Sequence, residues 1–441
     1  MSTTPPIIEM KARFASGRTL ETPLIRRLDA AIFWALCASL LFGPLAFGAT
    51  EPWSLAVQQA SSMLIFALWC SRQMAARAAI IQPSPLFLPA ALFALVVASQ
   101  SVLGTAAYRQ AMTNESMEFV AYGVVLFVAV QLFYYGQRLR DLAAVFMYFG
   151  LAVSAFAILQ GLTSNGMLYW TRVPRFSSAI YGPYVNRNHY AGLMEMLVPF
   201  ALALCFSRRA SAGKKLLAGF AALLMATSVF LSASRGGAAS LIAELIFLGV
   251  IGSGLRKRAK LDWRMGLLFV AFVALLLWLD VGPFLDRWKS FQGDLHGGRA
   301  AISRDGWRMF LQRPLLGWGL GAFPFVYPEF RSFYTDYLIN QAHNDYLQVL
   351  VETGALGAAA MVWFIVALYR RALGRLRAAA AKSAIDSGSL VRLAALTGCT
   401  GLLVHSFVDF NLHIPANAML FFFLCAVACW GPASSDDPAA E

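Results

Sequence analysis

Runs of about 20 apolar residues recur along nearly the whole chain, and this feature limits the possible folds more than any other. A run of that length crosses the hydrocarbon core of a membrane as one α-helix, and only helices or closed barrels satisfy their own backbone there. The runs lie at roughly 30–49, 54–71, 86–103, 118–136, 141–162, 189–206, 215–233, 237–252, 265–283, 345–369, 389–408 and 416–433. Hydrophobic residues are 59% of the 441 and charged residues 13%, against about 45–50% and 25% in soluble domains. No soluble core could hide that excess. The expected fold is therefore all-α, a polytopic transmembrane helical bundle of about 12 spans, with a long, partly helical outside loop between spans 9 and 10.

The formal charge of +13 suggests nucleic acid at first. Nucleic-acid-binding domains gather their basic residues on one soluble face, whereas here they are scattered between apolar spans, which argues against a nucleic-acid partner. Sorted by loop, with the N-terminus inside, 24 of the 36 basic residues fall in cytoplasmic segments and 12 outside. Short basic loops on the inside follow the positive-inside rule, so both termini are expected in the cytoplasm. The resulting division is a cytoplasmic segment 1–29, spans 1–9 over 30–283, a loop domain 284–344, spans 10–12 over 345–433 and a cytoplasmic tail 434–441. The first 29 residues are polar, with Pro5 and Pro6, and lack the short apolar core of a removable signal peptide. All six cysteines lie in apolar spans and read as small buried hydrophobes.

Two outside segments, roughly 163–188 and 284–344, are too long to be simple connections. The second carries Trp307, Phe310, Trp318, Phe323, Phe325, Tyr327 and Phe330, a density of aromatics foreign to disordered chain. Arg299 to Gln312 is expected to form an amphipathic helix with Arg304 and Arg308 on one face, ended by Pro314 and the Gly317, Gly319, Gly321 run. That run has neither a preceding strand nor a following Gly-Lys-Ser/Thr, so it does not read as a nucleotide loop.

The block Arg299, Trp307 and Arg313-Pro314-Leu315-Leu316-Gly317-Trp318-Gly319 is followed by His343-Asn344-Asp345-Tyr346-Leu347-Gln348 and Glu352-Thr353-Gly354-Ala355-Leu356-Gly357. Together these resemble the O-antigen ligase and polymerase-related membrane glycosyltransferases. Asn186-Arg187-Asn188-His189, Ser234-Arg235-Gly236-Gly237 and the stretch Asp409 to Asn417 are similar to further parts of that family, in the same order. The resemblance covers roughly 160–420. It implies transfer of a glycan from an undecaprenyl-diphosphate carrier to an acceptor hydroxyl, on the periplasmic face of the bacterial inner membrane. The implied partners are that donor, a lipid A-core or other glycan acceptor, and membrane lipids. No cofactor is needed, because the sugar already carries its leaving group.

Such chemistry requires a base for the acceptor hydroxyl and cations for a diphosphate that gains charge as the glycosidic bond breaks. His343, where the tenth span begins, is the expected catalytic base; its bland alternative is a residue lining the helix entrance beside a capping Asn344 or Asp345. Asp345 is two residues away, on a different helix face, and is a poor orienting partner. Arg235, in a tight turn between two apolar spans, and Arg187, at the entry to the sixth, are the expected diphosphate contacts, with Arg304 and Arg308 as weaker ones. Snorkelling to headgroups is the competing explanation for Arg235. Asn186, Asn188, His189, Asn344 and Glu352 are expected to support the site, Glu352 by hydrogen bonding within the helix packing. Glu195 and Glu244 lie inside spans, where they pair or stay protonated. His405, Asp409 and His413 are spaced for a metal on one unbroken helix, but Pro415 and Asn411 argue that the helix ends first, so no metal is expected. A transporter with ion sites at the buried glutamates is the alternative from another class. Within the transferases the acceptor stays open between ligase, polymerase and protein O-glycosylation.

Overall fold

The computed structural model describes residues 22–77, 81–133, 138–174, 179–207, 209–255, 270–271, 274–275, 298–336, 338–381 and 386–431. Most of the ninth expected span, most of segment 1–29, the start of the long loop (284–297) and the tail 434–441 lie outside the described residues. Helices run in the order α1 Pro23–Leu45, α2 Pro52–Ala76, α3 Phe87–Val102, α4 Arg109–Phe133, α5 Leu139–Leu162, α6 Arg187–Cys205, α7 Ala212–Leu231 and α8 Arg235–Leu255. Two loop helices follow, α9 Gly298–Gln312 and α10 Phe323–Phe330, and then α11 Asp345–Ala381, α12 Ser387–His405 and α13 Pro415–Cys429. Among the described residues there is no strand ladder, only two isolated bridges. Eight of the helices are long and apolar enough to cross a membrane, and α3 and α13 are shorter apolar helices.

Polar residues set the helix starts. Thr22 accepts from the Ile25 amide, Asn186 from Asn188, Ser211 from Lys214, Ser234 from Gly237, Asn344 from Leu347 and Asp386 from Ser389. Each side-chain oxygen satisfies an amide that the first helical turn leaves unpaired. Burial then sorts the helices. On α6 every residue from His189 to Ala201 is buried, and α12 and α13 are buried almost throughout. These three lie at the centre of a core that α1, α4, α5 and α7 also enter. On α3 only Pro89 and Gln100 are buried, while Leu88, Leu95 and Val102 are exposed, as are Ile242, Ile246 and Val250 on α8. Exposed aliphatic surface of this kind is what a lipid-facing helix presents.

The long loop is clamped to the bundle by a break in α11. Gly354 takes φ 65°, ψ −169°, a conformation nearly confined to glycine. The helical ladder is interrupted there, and loop backbone replaces the missing rungs. The Ala355 and Leu356 amides donate to the Pro314 and Leu315 carbonyls at 2.8 and 3.3 Å, while Trp318 and Gly319 donate to Val351 and Glu352 carbonyls at 3.0 and 2.9 Å. Gln100 of α3 joins the clamp, donating to the Leu316 and Glu352 carbonyls and accepting from the Leu320 amide. Arg313 lies over the Trp318 ring at 4.1 Å and donates to the Thr105 carbonyl at 2.7 Å.

The glycine run cradles a carboxyl group that belongs to the protein. With Gly317, Gly319 and Gly321 all at positive φ, the Gly321 and Phe323 amides point at the Glu352 carboxylate, 3.0 and 3.3 Å away. A Cβ on Gly354 would sit 2.3 Å from the Leu315 carbonyl oxygen. Gly354→Ala is thus expected to cost roughly 2–6 kcal/mol from backbone strain and overpacking. The measurement is the thermal midpoint of the detergent-solubilised protein, and an unchanged midpoint would contradict this account of the clamp.

Candidate active site

Three chain segments far apart in sequence meet at the end of the bundle where α6, α8 and α11 begin and α12 ends. The turn after α12 carries Asp409, whose side chain is 1% exposed. His343 Nδ1 stands 3.7 Å and His189 Nε2 3.8 Å from the same oxygen of Asp409, at ion-pair range and slightly beyond a hydrogen bond. The other oxygen accepts from Asn188 Nδ2, and the Phe410 amide donates to Asp409 at 2.8 Å. The Phe410 ring lies edge-on to both imidazoles, at 4.7 Å from His189 and 5.0 Å from His343. Burial by itself would raise the Asp409 pKa; the two imidazoles facing it reverse that and hold the carboxyl well below the ordinary range. Asp409 is therefore an anion at neutral pH.

His343 occupies the left-handed region, φ 52°, an uncommon and strained conformation for a histidine. The strain is retained because both neighbours are anchored. Ala342 donates to Gln348 Oε1 at 2.9 Å, and Asn344 caps α11. The His343 side chain is 30% exposed, against 8% for His189. Of the two rings, His343 is the more accessible, with its Nδ1 facing the carboxylate.

The spacing of His405, Asp409 and His413 dissolves in three dimensions, because α12 ends at His405 and Asn411–His413 form a separate 3-10 turn. His405 Nδ1 meets Glu195 at 2.9 Å, Asp409 faces His343 and His189, and His413 Nδ1 meets Asp345 at 2.7 Å. Asp345 is thus engaged by His413 and by the Leu412 amide. Glu195 pairs with a histidine, and Glu244 is fully buried beside Gly401. The rest of the 409–417 motif is packing glue: Asn417 donates to the His189 carbonyl and to Asn411 Oδ1, and accepts from Tyr184.

Burial lowers the pKa of His413, but the hydrogen bond and charge of Asp345, with Glu115 of α4 and Glu352 of α11 nearby, more than compensate and raise it to about 9. The pairing stabilises the fold fully below the free histidine value of about 6.5, and that stability is lost as the pH rises through about 9. Thermal midpoints are expected to fall across this window by the equivalent of about 3 kcal/mol. Asp345→Asn should flatten the dependence; an equal slope in that variant would remove His413 as its source.

The arginines divide into two groups. Arg187 and Arg235, both half-buried, are the first residues of α6 and α8. The glycine after Arg235 has no room for a Cβ, which would lie 2.8 Å from His405 Nε2 and 2.9 Å from Val408 Cγ2; a Cβ on Gly237 would lie 2.4 Å from that of Ala191. These close approaches bring the Arg235 turn against the residue preceding Asp409. Arg304 and Arg308 are exposed on α9, and Arg308 lies 3.6 Å from Asp305. Among the described residues no contact joins either to the Asp409 cluster. Arg299, from the same helix, does reach it, donating to the Val408 carbonyl at 2.8 Å. Asn188, His189 and His343 are therefore brought together, Asn186 and Asn344 hold helix starts, and Glu352 holds the glycine loop.

Asp409 and Arg299 read in the sequence as parts of family-like motifs but not as site residues. A signal for Asp409 existed, since a carboxylate next to an apolar span needs a partner, the same reasoning that singled out Glu195 and Glu244.

Residues 220–362 match the family described as O-antigen ligase. The match runs from within α7 into α11 and includes Arg235, Arg299, Arg304, Arg308, His343 and Glu352. A search among curated proteins finds no match.

Proposed function

We propose that this chain, which belongs to an O-antigen ligase-related family through residues 220–362, transfers a glycan from undecaprenyl diphosphate to an acceptor hydroxyl. The transfer takes place at the periplasmic face of the inner membrane, with lipid A-core as the acceptor. The observation that carries this reading is the half-exposed His343 backed by the buried Asp409, 3.7 Å from Nδ1. A proton on Nδ1 facing Asp409 leaves Nε2 free to accept. The acceptor oxygen attacks the anomeric carbon, its proton passes to His343 Nε2, and the bond from that carbon to the diphosphate oxygen breaks. Undecaprenyl diphosphate leaves with the electron pair and takes up a proton in turn. Arg235 and Arg187, each at a helix N-terminus, supply cationic donors for that growing charge. Asp409 does not touch substrate. It orients the ring and stabilises the imidazolium that forms.

The acceptor is tested by the surface polysaccharide of a deletion strain. An otherwise complete lipid core that lacks its polymer is the expected result. Decoration by single repeats would indicate a polymerase, and underglycosylated protein a protein O-glycosyltransferase.

A further inference from the structure

The end of the bundle remote from His343 holds a cavity of about 860 Å³. The helices themselves set the distance. α6 is 19 residues long, about 28 Å at 1.5 Å per residue, and runs from the Asn188–His189 end to Cys205. Ser207 and Leu204 line the cavity, as do the first residues of α12, whose last residues border Asp409. This is the end that the distribution of positive charge assigns to the cytoplasm.

We propose that this cavity binds an anionic glycerophospholipid, independently of the transferase reading. Its lining includes Arg138, Arg140, Arg209 and Lys214 against two acids, Asp141 and Asp386. Asp386 is already engaged, accepting from the amide and hydroxyl of Ser389 at 2.9 Å each, and Asp141 lies in the first turn of α5. Arg138 rests 5.4 Å over the Phe33 ring. Arg140, Arg209 and Lys214 are exposed and make no ion pair among the described residues. The N-termini of α5, α7 and α12 all open onto the same space, adding the positive ends of three helix dipoles to the cations.

The rest of the wall identifies the ligand as a lipid rather than a soluble anion. Leu139, Met147, Leu204 and Leu217 make part of the lining apolar, and Tyr148, also in the lining, is 53% exposed. Trp430 lines the cavity as well, and its buried indole N–H has no hydrogen-bond acceptor among the described residues. A phosphodiester meets the cations, while acyl chains lie against the apolar part of the lining. Basic pockets between spans at the cytoplasmic face suit headgroups of this kind.

The test uses the full-length protein, delipidated in mild detergent and titrated with phosphatidylglycerol, with phosphatidylcholine and with inorganic diphosphate. Native mass spectrometry reads lipid retention, and the thermal midpoint reads folding. Phosphatidylglycerol is expected to be retained and phosphatidylcholine not. Lys214→Gln should weaken retention about fivefold and Arg209→Gln with Lys214→Gln about 25-fold, given the usual worth of one cation near a membrane surface. Lys215→Gln, which removes the same charge one residue outside the cavity, should leave retention unchanged. All these positions lie off the core, so folding is preserved. Equal losses in the Lys214 and Lys215 variants would overturn the site, and displacement of the lipid by equimolar inorganic diphosphate would overturn its assignment to a lipid.

Discussion

His343→Ala is expected to lower glycan transfer by about 10²–10⁴-fold, the usual contribution of a positioned general base. The readout is transfer from a purified undecaprenyl-diphosphate-linked glycan in proteoliposomes. The side chain is 30% exposed and packs mainly on the Phe410 edge, so its removal leaves the bundle intact. Asp409→Asn separates orientation from chemistry. It keeps the shape of the side chain but removes the anion, so kcat should fall while the donor KM stays within about twofold. Loss of folding would confuse this result, because Asp409 is fully buried. The thermal midpoint is therefore measured on the same sample, and a rise in KM with kcat unchanged would contradict the positioning role. Full activity in His343→Ala would remove His343 from the reaction.

Arg235→Ala should reduce transfer by about 10²–10³-fold, the range found when one donor to a developing oxyanion is removed. Arg235→Lys is the more informative variant. It preserves the charge but not the planar fork that grips a diphosphate through two parallel hydrogen bonds. Intermediate activity is expected, with the loss shared between kcat and donor KM. Equal, near-normal activity in both variants would support the simpler alternative that Arg235 only anchors its turn at the headgroup layer. The exposed Arg304 and Arg308 stand apart from the Asp409 cluster, so their single alanine variants should cost far less than Arg235→Ala.

Much of this architecture is written locally. Apolar runs, Thr22, Asn186, Ser211, Ser234, Asn344 and Asp386 at helix starts, and glycines at positive φ each act within a few residues, so they are legible in one dimension. The helix from Gly298 to Gln312 is of this kind, because its period and its stop signals are both local. The glycine run from 317 to 321 was only half legible. Its composition marks the end of the 299–312 helix, but that its amides face the Glu352 carboxyl depends on where α11 breaks. The 405–409–413 spacing makes no one-face pattern, as Pro415 and Asn411 argue from the sequence. Helical spacing has meaning only while the helix continues, and α12 stops at His405.

What the sequence determined by itself is the solvent this chain requires, the order of its helices and the residue types available for chemistry. These follow from hydrophobic length, capping and charge, all additive along the chain. Only the tertiary structure decided the pairing of acids and bases. Asn188 and Asp409 are 221 residues apart, and Asp345, beside His343 in sequence, faces His413 instead. Ion pairing depends on distance through space, and here that distance is set by the packing of α6 against α12 and by the clamp at Gly354.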